Sequence, residues 1–370
     1  ELPLSISNHA VFAGSQSDAF ARSYALINPS FRVETFSGYC DPTAVYGDIE
    51  PNEEFTPERI ARVCEFAKDS AYVRSLSAMY KEYESYTEEV AFFIEQVTGH
   101  IIPDFRPALK HGLTAILAEL DNKFNTETDP LKKDNYAAMQ VTLKAVLTLA
   151  ERYAVIAEEK TATANGNRKD QLLHLAATLR RVPANGCQTL FEAIQSYMLL
   201  WEVMCLEQAP NPFAFSVGNA DRIFEPYRAM EGLGRDEAAA LLKHFLVFFN
   251  VGDRSWAISQ NLIVSGRDLD GKDLTNDTSY ALMDAYYDMN LPQPILSVKL
   301  HKNSPDRLYE ELGRFFFSPG VLTPSLFNDE SVFELLKARE VSDDDLADYS
   351  VAGCQEPLIM GKDNGNTTNS

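Results

Sequence analysis

The sequence predicts a helix-rich α/β protein, and two observations carry that prediction. Apolar residues recur at helical spacing over most of the chain. Short β-rich runs alternate with the later helices. Such alternation is typical of parallel sheets that are built from βα units.

Helices are predicted where apolar spacing follows a recognisable start. Thr56-Pro57-Glu58 combines a capping hydroxyl, a proline in the first turn and an early acid, so it begins a helix that Gly99 ends. Ser304-Pro305-Asp306 and Ser342-x-x-Asp345 are similar start signals. Further helices are predicted at about 105–124, 130–161, 167–181, 188–208, 235–250, 274–290, 305–318 and 330–339.

Three strands are predicted between the later helices, at 261–264, 295–300 and 325–327. The chain is therefore divided into a helical part at about 1–210 and a part at about 211–370 that contains the strands.

Composition excludes several classes of function. The formal net charge of −21 argues against nucleic acid or an anionic membrane surface as a partner, because both would repel the protein. No apolar stretch approaches the length that crosses a bilayer, and no signal peptide is visible. Five scattered cysteines without a C-x-x-C pair favour reduced thiols and a cytoplasmic location.

Both ends of the sequence suggest a piece of a longer protein. The chain begins at Glu1 without an initiator methionine, and it ends in a polar stretch at 363–370 that no helix or strand follows.

The most informative motif is Gly353-Cys354-Gln355-Glu356-Pro357. If this segment is extended, the Cys354 and Glu356 side chains point to the same side, about 6–7 Å apart. A small substrate between them could lose a hydrogen atom to sulfur and a proton to oxygen. Gly353 permits a backbone conformation that is closed to other residues, and Pro357 fixes the exit from the turn.

A structural explanation of this motif is also open, since free cysteines are commonly buried and inert. We expect the remaining thiols, those of Cys40, Cys64, Cys187 and Cys205, to be structural. The Asp268-x-Asp270-Gly271-x-Asp273 segment lacks the full ligand series of a calcium loop, so we expect no metal site there.

Together with other elements in order, the motif resembles the glycyl radical enzymes of the pyruvate formate-lyase superfamily, and most closely their glycerol/diol dehydratase-like branch. The matching elements run from about residue 99 to 361. They include Gly99-His100, Asp104-Phe105, Gly112-Leu113, Val182-Pro183, Thr189-Leu190-Phe191-Glu192, Asp268-x-Asp270-Gly271, Leu291-Pro292-Gln293-Pro294 and Pro324-x-x-x-Asn328-Asp329.

The resemblance implies a ten-stranded α/β barrel of two parallel half-sheets with helices outside. The cysteine of such enzymes lies on a central hairpin loop, and the radical glycine lies on a second loop near the C-terminus. The motif of that second loop is absent here, so the resemblance covers only the N-terminal and central part of the enzyme.

For chemistry, the resemblance implies that Cys354 forms a thiyl radical and that Glu356 is the general base. It implies no bound cofactor. The glycyl radical would be installed by an activase that uses S-adenosylmethionine and an iron–sulfur cluster. It also implies a small-molecule substrate and a homodimer.

Five further residues are implied as substrate contacts. His100 aligns with a histidine that contacts the substrate in diol-dehydrating members, although it could instead bond carbonyl groups at a helix end. Asp104, Ser216 and Asp221 are weaker candidates. The sole role of Asp221 could instead be to cap or brace a helix. Phe213-Ala214 stands where glycerol-type dehydratases have His-Ser, which argues against glycerol as the substrate.

Three functions therefore remain open. The first is a radical lyase that eliminates water, an amine or sulfite from a small hydroxylated substrate. The second is an arylacetate-type decarboxylase, favoured by Phe213, or an enzyme like formate acetyltransferase, whose two adjacent cysteines this sequence lacks. The third is an inactive fragment that binds a partner.

Overall fold

A computed structural model describes residues 4–14, 100–207, 214–250, 260–353 and 355–363, together with the helical positions 58, 74, 78, 81 and 82. Most of the helix predicted at 56–98 and both Cys40 and Cys64 lie outside the described residues. No helix of the described part is long and apolar enough to cross a membrane.

The first described half of the fold is helical. Its helices are α1 (Arg106–His111), α2 (Leu113–Thr126), α3 (Pro130–Thr161), α4 (Gly166–Arg181) and α5 (Leu190–Glu207). Helices α3 and α4 pack together with residues of the N-terminal segment 4–13 in one apolar cluster.

One predicted helix, at 105–124, is broken in two at Gly112. Gly112 has a φ of 78°, and a Cβ there would lie 2.4 Å from the Ala184 carbonyl oxygen. The neighbouring loop therefore passes too close for any other residue, and the chain changes direction between α1 and α2.

The second half alternates strands and helices. Its elements are β1 (Gly218–Asn219), α6 (Ala220–Glu231), α7 (Arg235–Phe248), β2 (Asn261–Ser265), α8 (Asp277–Met289), β3 (Ile295–Leu300), α9 (Asp306–Phe316), β4 (Ser325–Asn328), α10 (Asp329–Ala338), α11 (Asp343–Leu346), β5 (Tyr349–Ala352) and β6 (Glu356–Ile359).

Strands β1 to β4 form a parallel sheet in sequential order, as the βα pattern predicts. Leu262, Val264, Leu296 and Val298 point to one face and pack against helices α6, α7 and α8. Since side chains alternate along a strand, the other residues of β2 and β3 face the opposite side.

That opposite face holds an antiparallel hairpin, which β5 and β6 form. Strand β5 contacts β1 and β2. Tyr349, Val351 and Ile359 of the hairpin share an apolar cluster with Ile263 of β2 and Phe333 of α10. The hairpin is thus held between the sheet and helix α10.

The structure confirms the helix-rich α/β class and the three predicted strands. Among the described residues the parallel sheet has four strands. Strands β5 and β6 form a separate two-stranded sheet that packs against it. Four elements were not predicted from local sequence patterns: helix α6, the two-residue strand β1 and the hairpin strands β5 and β6. Pro226 inside α6 and Pro357 inside β6 conceal the usual patterns, because proline is disfavoured in both settings.

Candidate active site

The turn of the β5–β6 hairpin carries the candidate site. Ala352 pairs with Glu356, so three residues connect the two strands. Gly353 begins this turn with a φ of 55°, which favours glycine. A Cβ at this position would lie 2.5 Å from His100 Cε1 and 2.7 Å from Glu356 Oε2. Only glycine therefore lets the imidazole and the carboxylate approach the turn so closely.

His100 and Glu356, both named as candidate site residues from the sequence, are in direct contact. His100 Nδ1 lies 3.3 Å from Glu356 Oε1. The His100 side chain is buried, whereas Glu356 is 34% exposed among the described residues. His100 has a positive φ of 54°, which is uncommon for a residue with a Cβ. The backbone at His100 therefore holds the imidazole against the hairpin turn.

Cys354 itself lies outside the described residues. Gly353 and Gln355 lie in the turn between the two strands, since regular strand pairing stops at Ala352 and resumes at Glu356. The predicted placement of the Cys354 and Glu356 side chains on one side of the chain stays a prediction. The hairpin loop that the family resemblance implied for this cysteine is observed in its neighbours.

Ser216 and Asp221 are engaged in holding the fold. The Ser216 hydroxyl accepts a hydrogen bond from the Asn261 amide at 3.0 Å. The fully buried Asp221 carboxylate accepts bonds from the Ser265 amide at 2.7 Å and the Ser279 hydroxyl at 2.5 Å. Burial raises the pKa of the Asp221 carboxyl, against the opposing effect of Arg222. Asp221 thus joins helix α6 to β2 and α8.

Asp104 lies near the other end of the hairpin from His100. Its carboxylate accepts two bonds from the Arg106 guanidinium, at 2.8 and 2.9 Å. Arg106 also donates to the Asp348 carboxylate just before β5. The main chain repeats this connection, because the Gly361 amide donates to the Ile102 carbonyl at 2.8 Å. The segment 100–106 is therefore attached along the length of the hairpin.

Phe213 lies outside the described residues, so its predicted contact with substrate stays a prediction. The expectation that Cys187 is structural is confirmed, since its thiol is free and buried. Burial, with a smaller contribution from Glu192, raises the pKa of this thiol to about 12. The side chain of Cys205 is not among those described.

Sequence reasoning missed Asn261, a polar residue at the end of the sheet where Ser216 contacts the segment of His100. Asn261 is fully buried, and neither its amide nitrogen nor its amide oxygen has a hydrogen-bond partner within the described residues. Ser216 connects Asn261 to the segment of His100, because its amide donates to the Ile101 carbonyl at 2.9 Å. The side chain of Asn261 is on the hairpin side of β2, as is that of Ile263.

Sequence reasoning also missed Lys299, a fully buried lysine on β3. A lysine within an otherwise apolar strand is the one signal that could have pointed to it, because buried lysines are rare unless paired.

Comparisons with known proteins identify the family of this chain. The family described as "Pyruvate formate lyase-like" matches residues 1–370. Isethionate sulfite-lyase of Desulfovibrio desulfuricans is 26% identical over 290 residues, which cover 71% of this chain and 34% of the relative. Trans-4-hydroxy-L-proline dehydratase of Clostridioides difficile is 30% identical over 279 residues, covering 69% of this chain and 34% of the relative.

Among solved structures, the glycerol-bound B12-independent glycerol dehydratase from Clostridium butyricum superposes with a TM-score of 0.80 at 23% identity. The match covers 98% of this chain and 48% of that structure. The chain spans about a third of the length of the curated relatives it matches and about half of the solved one. On the family match and the shared fold, the chain belongs to the pyruvate formate lyase-like family of glycyl radical enzymes.

Proposed function

We propose that this chain supplies the reaction chamber of a radical lyase, which eliminates water, an amine or sulfite from a small hydroxylated substrate. The observation that carries the proposal is the contact of Glu356 with His100 at the turn that contains Cys354 in the sequence. Gly353 admits both side chains to that turn. A base and a second proton-carrying group therefore meet at the turn whose sequence contains Cys354.

The reaction begins at Cys354, which gives its hydrogen atom to the glycyl radical and becomes a thiyl radical. The thiyl removes a hydrogen atom from the substrate carbon that bears the hydroxyl, so an S–H bond forms as the C–H bond breaks. Glu356 takes the hydroxyl proton and leaves a ketyl-like radical anion. General-base assistance of this kind contributes about 10²–10⁴-fold to rate.

The radical anion expels the leaving group from the adjacent carbon, and the leaving group departs with the bonding electron pair. The proton on Glu356 then passes to the leaving group through His100, whose Nδ1 is 3.3 Å from the carboxylate. The product radical recovers a hydrogen atom from the Cys354 thiol. This last transfer restores the thiyl radical and closes the cycle.

Asn261 is proposed as a further substrate contact. A buried amide without partners costs about 1–3 kcal/mol for each unpaired group. A substrate with both a donor and an acceptor would recover that cost. The main-chain amide of Asn261 donates to the Ser216 hydroxyl, and the Ser216 amide donates to the Ile101 carbonyl beside His100. Phe213, if it lines the chamber, would favour a less polar substrate than glycerol.

Two alternatives follow from specific residues. An arylacetate-type decarboxylase is favoured by Phe213. An acyl transfer like that of formate acetyltransferase would need two adjacent cysteines, whereas Gly353 and Gln355 flank Cys354. Elimination therefore remains the leading function, and a partner-binding fragment without activity is the alternative outside catalysis.

The remaining parts of the enzyme are proposed from the family. The four parallel strands would be part of one half-sheet of a ten-stranded barrel. The radical glycine would lie on a further segment, since this chain spans a third of its relatives. A radical S-adenosylmethionine activase with an iron–sulfur cluster would install the radical. We also propose a homodimer, with a cytoplasmic location that rests on the scattered cysteines.

The experiment uses the complete polypeptide, activated anaerobically and offered a panel of substrates. The panel contains glycerol, 1,2-propanediol, isethionate, trans-4-hydroxy-L-proline and an arylacetate. Elimination products are expected, and Glu356→Gln should reduce turnover per radical by about 10²-fold or more. Carbon dioxide from the arylacetate alone would favour the decarboxylase. Turnover that is unchanged in Glu356→Gln would remove the base from the mechanism.

A further inference from the structure

Behind the hairpin lies a buried cluster of charged and polar groups that the proposed reaction does not use. Lys299 on β3 is at its centre and has no exposed surface. Its amine donates to the Asn219 side-chain oxygen at 2.7 Å and to the main-chain carbonyl of Tyr349. Tyr349 is the first residue of β5, so the contact reaches the strand that leads to Gly353 and Cys354.

Tyr349 is held at three separate points. Its carbonyl accepts from Lys299, and its hydroxyl donates to the buried Asp329 carboxylate at 2.6 Å. Its ring lies under the Lys299 nitrogen, 4.0 Å from nitrogen to ring centre. Phe333 packs edge-on against the same ring. A residue fixed by main chain, hydroxyl and ring cannot slide along the sheet.

The two residues before Tyr349 are fixed as well. Arg222 donates to the Ala347 carbonyl and to the Ser265 carbonyl at the end of β2. The Asn219 amide donates to the Asp348 carbonyl at 3.2 Å. The base of the hairpin is thus bonded to β1, β2 and β3 through consecutive residues.

The groups around Lys299 are closely packed. A Cβ on Gly266 would lie 2.6 Å from Lys299 Cδ and 3.0 Å from the Asp329 carboxylate. Burial and the nearby Arg222 guanidinium lower the pKa of the Lys299 ammonium well below its ordinary value.

We propose that Lys299 is a positioning residue, which fixes the register of the β5–β6 hairpin on the sheet and thereby places the Cys354 turn against His100 and substrate. This inference rests on the proposed function. Ala352 lies three positions after Tyr349, a distance of about 10 Å along the strand. A shift at the base is therefore transmitted to the turn by one short, continuous strand. Misplacement of reacting atoms by about 1 Å can cost about 10²-fold in rate.

The test compares the wild-type complete polypeptide with Lys299→Met, which keeps the length of the stem and removes the amine that donates to Asn219 and to the Tyr349 carbonyl. Lys302→Met is the matched control, since Lys302 is exposed two residues past the end of β3. Amide hydrogen exchange is measured over 347–360 and, for reference, over helix α4. Turnover is measured per glycyl radical, with the radical counted by electron paramagnetic resonance.

For Lys299→Met we expect faster exchange over 347–360, unchanged exchange in α4 and an unchanged radical content. We expect kcat per radical to fall about 10- to 100-fold while KM changes less than about threefold. Unchanged exchange in the hairpin would overturn the proposal, as would full turnover with a loosened hairpin. A KM that rises with the loss of kcat/KM would make Lys299 a substrate contact instead.

A second variant and the exchange data cover the two cases in which the turnover of Lys299→Met cannot be compared with wild type. If Lys299→Met does not fold, Tyr349→Phe removes only the hydroxyl bond to Asp329, and it should loosen the hairpin to a smaller degree. If the wild-type protein turns over no substrate, the proposed function fails, and the exchange data alone decide whether Lys299 holds the hairpin.

Discussion

The contact between His100 and Glu356 brings together two residues that are far apart in the sequence. Glu356 was predicted from the motif at 353–357 and His100 from the family resemblance, and the structure places His100 Nδ1 3.3 Å from Glu356 Oε1. A histidine beside a carboxylate can receive the proton that the carboxylate collects. The pair is therefore suited to move one proton from a substrate hydroxyl to a leaving group.

Asp221 serves the fold at the residue scale, and its substitution should affect stability rather than substrate binding. In Asp221→Asn, one of the three donors that meet this carboxylate loses its acceptor. We expect unfolding free energy to fall by about 1–3 kcal/mol, measured by urea denaturation. KM should change less than about twofold.

The control for Asp221 is Asp134→Asn on the exposed side of α3, which should leave the urea midpoint in place. A large rise in KM for Asp221→Asn with an unchanged urea midpoint would show that Asp221 contacts substrate, as the family resemblance implied.

At the scale of elements, the turn between β5 and β6 is shaped by Gly353. In Gly353→Ala, the added methyl group would collide with His100 Cε1 and Glu356 Oε2, at 2.5 and 2.7 Å. A positive φ costs a residue with a Cβ about 1–2 kcal/mol besides. We expect turnover per radical to fall at least about tenfold, because the imidazole and the carboxylate must move apart.

Gly166→Ala is the matched control for Gly353→Ala. Gly166 has a φ of 50°, and an added Cβ there meets nothing within 4 Å. It therefore carries the same backbone cost without the collision. Equal activity of the two variants would show that the close approach at Gly353 has no catalytic importance.

A second prediction at this scale concerns the ion pair between Asp104 and Arg106, which helps to attach the segment 100–106 to the hairpin. Asp104→Asn removes the charge that pairs with Arg106, in a group that is 27% exposed. Since partly exposed ion pairs contribute little, we expect a loss of about 0.5–1 kcal/mol in unfolding free energy and an unchanged KM. A severalfold rise in KM, measured by steady-state kinetics, would show that Asp104 binds substrate.

The sequence predicts an element where its residues follow a regular pattern, and it fails where a proline interrupts that pattern. The long helices α3 and α4 follow from apolar spacing, and β3 follows from a short β-rich run between two helices. Helix α6 and the hairpin were missed as patterns because each contains a proline, Pro226 or Pro357. The hairpin was anticipated only through the family resemblance, since the local sequence reads as an extended segment.

The whole molecule explains what local patterns cannot predict. Lys299, Asn219, Asp329 and Tyr349 meet only when β1, β3, α10 and β5 are assembled. No spacing rule connects residues 219 and 349. The same holds for Asn261, whose buried and unpartnered amide is visible only once the hairpin covers its side of the sheet.

The buried amine also predicts a pH dependence of stability. Because the pKa of Lys299 is lowered in the folded state, the unfolded chain binds one more proton between that value and about 10.4. Stability then rises with pH across this window, with a slope of up to about 1.4 kcal/mol per pH unit. The charged groups that act on this amine are Arg222, Asp329, Asp221 and Asp348, and the Tyr349 hydroxyl is bonded to Asp329.

We therefore expect the difference in unfolding free energy between wild type and Lys299→Met to shift in favour of wild type from pH 7 to pH 9. Urea denaturation at each pH measures it, and Lys302→Met provides the baseline. A difference that stays constant over this range would mean that Lys299 keeps its proton in the folded protein.

The central claim is that the hairpin turn performs hydrogen abstraction beside a base. Its most direct measurement is turnover per glycyl radical for the activated complete polypeptide and for Cys354→Ser, with a substrate deuterated at the hydroxyl-bearing carbon. We predict that wild type releases the eliminated product with a primary deuterium isotope effect, and that Cys354→Ser keeps its radical but forms no product. Product formed by Cys354→Ser at a comparable rate would contradict the account.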